Sequence, residues 1–156
     1  MFVGIDPGLS GALAVLTADG GLVALADTPI LTLCVARGIR HDYDVPGMCA
    51  LLQLYAGQQA HVVIEASQAM PGQGVRSMFT CGLGMGVWLG LLAALQVPYT
   101  RVRPVVWKKA FSLGKDKEQA RLRAQQLFPG ADLRHKKDHG RAEALLLAWY
   151  ACRQLS

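Results

Sequence analysis

Short apolar runs separated by glycine-rich turns dominate the first part of the chain. Residues 2–7, about 11–17 and about 22–27 read as three strands, with turns at Gly8-Leu9-Ser10-Gly11 and Asp19-Gly20-Gly21. Asp-Gly-Gly between apolar runs is a hairpin signal, so these strands are expected to form an antiparallel meander. Residues 28–43 read as irregular. The pattern then changes to a helical period. Asp44 is a candidate cap, Pro46 lies in the first turn, and Met48, Leu51, Leu52 and Tyr55 recur at helical spacing up to Gly57. A strand, His61-Val62-Val63-Ile64-Glu65, precedes a loop over 68–74 and an apolar helix over about 76–96. A strand over 98–103 leads into a short basic helical segment that starts at Pro104. An amphipathic helix over 115–128 is stopped by Pro129-Gly130, and a last helix covers about 139–154. The order reads βββ-α-β-α-β-α-α. No repeat, low-complexity stretch or linker interrupts it, which predicts a single domain over 1–156.

Composition narrows the class. An apolar share of 52% with only 17% charged residues argues against disorder, and the net charge of +5 is compatible with a polyanionic partner. Cys34, Cys49, Cys81 and Cys152 are scattered without a CxxC or Cys/His spacing. That argues against a zinc site and a disulfide scaffold and fits a reducing, cytoplasmic setting. The N-terminus runs straight into a strand, so no signal peptide is expected. The apolar stretch over 81–97 is near the lower limit for spanning a bilayer. Its glycines and the lack of a preceding basic cluster make it read as a buried helix, with no membrane partner.

Two acids stand where apolar strands end: Asp6 and Glu65. Acids are rarely buried unless they are paired or bind a metal. If their strands are neighbours, both carboxylates emerge at one sheet edge. A third, Glu143, is embedded in the apolar run of the last helix, with Leu146, Leu147 and Tyr150 three, four and seven residues beyond it. Two strand-end carboxylates and one from a facing helix make an oxygen-rich site for Mg²⁺ or Mn²⁺. A pair of such ions could activate water and stabilise the leaving oxygen of a phosphodiester. The fourth ligand stays open. His139, four residues before Glu143, shares its helix face and is favoured slightly as ligand or proton shuttle. Asp138 is the other candidate, with helix capping as its alternative role.

Gly4-Ile5-Asp6-Pro7-Gly8, the strand-end Glu65 and the helix bearing Ala142-Glu143-Ala144-Leu145 together resemble the RuvC-type Holliday junction resolvases of the RNase H-like superfamily. The resemblance covers nearly the whole chain in order and length. It implies an α/β fold with a mixed five-stranded sheet, three antiparallel then two parallel strands, flanked by helices. It also implies a homodimer that makes paired nicks in four-way DNA junctions, using four metal-binding side chains and Mg²⁺ or Mn²⁺. Asp6, Glu65 and Glu143 match three of those positions. Bacterial members usually carry a further acid three residues before the last one. Here that residue is Gly140, so Asp138 or His139 must substitute. The Asp-His-Gly-Arg-Ala-Glu-Ala form is similar to phage and organellar relatives.

The resemblance also gives roles to basic and glycine-rich elements. Lys108 and Lys117 align best with active-site lysines that hold the scissile phosphate, with Lys109 and Lys115 beside them. Lys136 and Lys137 are placed to clamp the backbone near the metals. The loop after Glu65 and the start of the next helix carry Arg76 and two candidates for a junction-opening wedge, Met70 and Phe79, although Phe79 reads better as core. Gly82, Gly86 and Gly90 make a small-residue stripe along one helix face. It serves either packing on the protein's own sheet or a dimer interface, with Trp88 and Leu92 as candidate contacts. Three other readings remain: a nuclease for other branched DNA, a junction-binding protein with a damaged site, and a sugar-kinase-type phosphate loop at residues 6–11. The chain is too short for the paired domains of the last.

Overall fold

The computed structural model describes residues 1–66, 68, 72–114 and 116–155, apart from the side chains of Lys117 and Leu155. Its elements run β1 (Phe2–Asp6), β2 (Ala12–Leu16), β3 (Leu22–Asp27), β4 (Ile30–Val35), β5 (Gly38–Tyr43), α1 (Val45–Ala56), β6 (His61–Glu65), α2 (Val75–Ala94), β7 (Tyr99–Val102), α3 (Pro104–Ala110), α4 (Lys117–Leu127) and α5 (His139–Leu155). Five strands form one sheet in the order β3-β2-β1-β6-β7. β1, β2 and β3 pair antiparallel, while β6 joins β1, and β7 joins β6, in parallel. This is the mixed sheet expected from the sequence.

Side-chain alternation divides the core into two layers. Val3 and Ile5 of β1, Leu13 and Val15 of β2, and Val62 and Ile64 of β6 face Met48 and Leu52 of α1 and Trp88 and Leu92 of α2. The opposite face carries Ala12, Ala14, Leu16 and Val63, and receives Leu145, Leu146, Ala148 and Trp107. Both faces of β2 are covered, which is why Ala12–Leu16 is an unbroken apolar run buried throughout. On the second face β1 contributes Gly4. A Cβ there would collide with Ala144 O and Ala148 N, so only glycine lets α5 lie directly against β1.

Local chemistry sets the element ends. The Asp44 side chain accepts a hydrogen bond from Gly47 N at 3.1 Å and Pro46 sits in the first turn of α1. Gly20, in the β2–β3 turn, has φ of 91°, and Gly21 N donates to Thr17 Oγ1 at 2.8 Å.

The reading of 28–43 as irregular is corrected. β4 and β5 form a separate two-stranded antiparallel hairpin, paired from Ile30↔Tyr43 to Val35↔Gly38. Most of its side chains are exposed, so no buried face imposed a legible alternation. The Ala36-Arg37 turn also lacks an Asn-Gly or Asp-Gly signal; the positive φ falls on Gly38, at 119°. Tyr43 anchors the base of the hairpin. Its hydroxyl lies 3.1 Å from Thr80 O of α2 and 3.4 Å from Pro7 O, just beyond Asp6. Burial first, then the nearby charges of Cys81, Asp6 and Asp42, push this phenol up to about 12.

Helix α2 is long and apolar enough to cross a membrane by length and composition, but one side of it is built into the core through Gly84, Met85, Trp88 and Leu92. Trp88 and Leu92 are fully buried, which removes them as partner contacts. Gly82, Gly86 and Gly90 lie on the other side, where a Cβ would meet nothing within 4 Å. The glycine stripe therefore does not pack on the protein's own sheet.

Candidate active site

Strand register delivers two of the acids. Ile5 pairs with Ile64 across β1 and β6, so the next residues, Asp6 and Glu65, leave the sheet side by side. By alternation Asp6 shares the face of Gly4, and Glu65 that of Val63; both are on the α5 side. The close seat of α5 at Gly4 carries Glu143 to the same edge. One carboxylate oxygen from each of Asp6, Glu65 and Glu143 lies within 4.8 Å of the others. Glu143 is 7% exposed, an acid almost withdrawn from water.

Three carboxylates this close repel one another unless positive charge is supplied. Part of it comes from α3. Lys108 Nζ lies 2.8 Å from Glu143 Oε1 and 5.1 Å from the centre of the Trp107 ring. The fully buried Trp107 in turn donates from Nε1 to Glu65 Oε2 at 2.7 Å. On the β1 side, Gly8 N lies 3.5 Å from Asp6 Oδ1, at the limit of a hydrogen bond. The all-oxygen, partly desolvated donor set fits a divalent cation.

Neither Asp138 nor His139 has a ligand atom within 4.8 Å of all three acids. Asp138 is buried, and its Oδ2 accepts from His135 N at 2.7 Å while its carbonyl accepts from Ala142 N at 3.1 Å. It opens α5 and folds its carboxylate back on the preceding loop. The Nδ1 atom of His139 is buried without a hydrogen-bond partner among the described residues. His139 lies one turn before Glu143 and within electrostatic reach of Glu118 in the first turn of α4, whose carboxyl is held below the usual range mainly by the Arg121 hydrogen bond. Gly140 has its own reason: a Cβ would overlap Ser10 O and crowd Gly11 Cα. The first turn of α5 is thereby pressed against the loop that follows Asp6.

The remaining named residues surround this edge. Lys109, Lys136, Lys137 and Arg76 are exposed. Lys137 and Asp138 border a depression of about 600 Å³ that reaches His41 of the hairpin. It meets, at Leu9 and His41, a second depression of about 370 Å³ lined by Arg40, Arg76 and Phe79. Phe79 is 72% exposed, which overturns its reading as core. Met70, Lys115 and the side chain of Lys117 lie outside the described residues.

Sequence reasoning missed Trp107, the β4–β5 hairpin and Arg141. Arg141 clamps the start of α5, donating from Nε and Nη2 to both Asp27 oxygens at 2.6 and 2.8 Å and from Nη1 to Asp132 Oδ2 at 3.1 Å. The only sequence signal for Trp107 was an aromatic directly preceding Lys108.

The sheet order, the helices on its two faces and the strand-end acids define a RuvC-type, RNase H-like fold. Along 97% of the chain and 93% of the other, it superposes on Thermus thermophilus RuvC in complex with a Holliday junction substrate, with a TM-score of 0.65 and 17% identity. A second T. thermophilus RuvC structure matches with a TM-score of 0.58 and 18% identity, over 97% of this chain and 94% of that one. At the sequence level, the chain is 42% identical over 94 residues, 56% of its length, to the chloroplastic Holliday junction resolvase MOC1 of Chlamydomonas reinhardtii. That match covers 10% of the algal protein. No protein-family model matches the chain.

Proposed function

We propose that this protein is a metal-dependent endonuclease that resolves four-way DNA junctions by paired nicks. The observation that carries the reading is the convergence of Asp6, Glu65 and Glu143 at one edge of a RuvC-type sheet. The junction-resolving relatives named above support it, as does the net positive charge.

Asp6, Glu65 and Glu143 would hold Mg²⁺ or Mn²⁺, with two ions per site and His139, rather than Asp138, completing the set. Held there, such cations would supply the positive charge that activates a water and stabilises the leaving oxygen. The chain's own groups do the rest. Lys108, already seated against Glu143, supplies positive charge at the scissile phosphate. Lys109, Lys115, Lys117, Lys136, Lys137 and Arg76 contact phosphates on either side. Exposed Phe79 or Met70 stacks on or parts the bases where the junction opens. The open face of α2, with Gly82, Gly86 and Gly90 beside Leu83, meets a second copy, and the two-fold of such a dimer matches two symmetric nicks.

The test is incubation with a synthetic four-way junction, a plain duplex and an RNA–DNA hybrid, each with and without Mg²⁺. Cleavage is expected for the junction with Mg²⁺ alone. Asp6→Asn and Glu65→Gln are each expected to lower nicking by about 10³-fold, the equivalent of several kcal/mol of metal-derived stabilisation, with junction binding retained. Unchanged nicking by either variant would remove the assignment. His139→Ala is expected to cost more activity than Asp138→Ala; the reverse order transfers the ligand role to Asp138. The second reading, a junction-binding protein without catalysis, is favoured by the Asp138 carboxylate being spent on His135 N, and Mg²⁺-independent binding without cleavage would establish it.

A further inference from the structure

We infer that Trp107 is a positioning residue that orients Glu65 for cation binding through its indole N–H and holds Lys108 with its ring. The inference rests on the reading that Asp6, Glu65 and Glu143 bind a divalent cation. Three contacts form one chain: Trp107 Nε1 to Glu65 Oε2 at 2.7 Å, Lys108 Nζ over the Trp107 ring at 5.1 Å, and Lys108 Nζ to Glu143 Oε1 at 2.8 Å. A single side chain thus touches a strand-end carboxylate and, through the neighbouring lysine, the helix-borne one.

The physical argument is orientation. Glu65 lies at the end of β6, and a glutamate there has three side-chain torsions to settle. A donor on Oε2 fixes the carboxylate plane and with it the directions of the lone pairs at the site. The donor is itself immobile. Trp107 is fully buried, sits in the short helix begun by Pro104, and packs edge-to-face on Phe111 with centroids 6.4 Å apart. An indole N–H is a donor only, so it cannot compete with the carboxylates for a cation. Its ring face favours the Lys108 ammonium and so holds that charge at the site, beside Glu143.

The test measures Mn²⁺ binding directly, by electron paramagnetic resonance titration of the full chain without DNA. Trp107→Phe keeps a ring under Lys108 and deletes the N–H. Replacing Trp107 by benzothienylalanine keeps the bicyclic shape and deletes only the donor, so a packing defect in the first variant does not obscure the result. Both are expected to bind Mn²⁺ about 10- to 100-fold more weakly, with nicking restored by raising Mn²⁺. Unaltered affinity in the benzothienyl variant overturns the inference, whatever the phenylalanine variant does. Because the readout needs no DNA, a wild-type chain that binds Mn²⁺ but cleaves no junction would end the nuclease reading and leave this one standing.

Discussion

In α5 every residue over 142–148 is buried, with the sheet on one side and α3 and α4 on the other. In α2, twenty residues long and also apolar, only Gly84, Met85, Trp88 and Leu92 are buried. The two helices lie on opposite faces of the same sheet and use glycine in opposite ways. Facing α5, Gly4 is small because backbone atoms of the helix occupy the space a side chain would need. In α2, Gly82, Gly86 and Gly90 are small with nothing in front of them. The helix that carries Glu143 is held on both sides over 142–148, which fixes the position of that carboxylate. The helix with the open face leaves a row of small residues uncovered.

Substitutions on the two helices break or sharpen this contrast. The largest effect is expected from Trp88→Ala. As a fully buried core side chain it should cost about 3–5 kcal/mol in urea unfolding. If stability holds and only self-association weakens, its place in the core is wrong. Gly4→Ala should come next, at about 3 kcal/mol, the upper end for overpacking, because rigid backbone would have to move. Nicking should fall with it as α5 is pushed off β1; wild-type stability in this variant would refute the close seat. Gly86→Ala should do the opposite and stabilise the monomer by up to about 1 kcal/mol, since it fills an exposed helical position with a better helix former. Gly86→Glu should leave monomer stability near wild type but raise the dissociation constant of the dimer in sedimentation equilibrium. No change there would move the interface elsewhere.

The smallest effect concerns pH. His61, partly buried in β6 and 2.9 Å from Thr100 Oγ1, is held below the ordinary histidine range by burial. The unfolded chain therefore takes up the proton first. Stability should decline as pH falls below about 6.5 and level off once the folded histidine also titrates. His61→Gln should flatten that part of the stability profile between pH 7 and 5, as read by thermal unfolding.

Elements governed by local chemistry were legible in the sequence. The cap at Asp44, the strand over 61–65 and the mixed character of the sheet followed from turn residues, apolar runs and the resemblance. The hairpin was not, because exposed strands need no alternation and its positive φ falls on Gly38, outside an Asn-Gly or Asp-Gly pair. Phe79 and Trp88 were misread in opposite directions for one reason. Both are large apolar side chains on one helix, and a weakly amphipathic helix does not declare which side meets the core. The acids were found because strand ends and an acid in an apolar helix are anomalies. Trp107 was not, because its link to Glu65 spans 42 residues and depends on how α3 turns after β7.

The contact of Gly140 with the Ser10-Gly11 backbone closes an evolutionary and engineering route. An aspartate at 140 would recreate the two-acid spacing of the bacterial pattern on paper, yet even its first carbon has nowhere to go. Any path from these acids to that pattern must first withdraw the loop after Asp6 or lift the start of α5, and each movement displaces a carboxylate. The present set and the backbone around it are therefore locked together. They can change only as a unit, and an otherwise conservative graft of the missing acid is expected to abolish the site it was meant to complete.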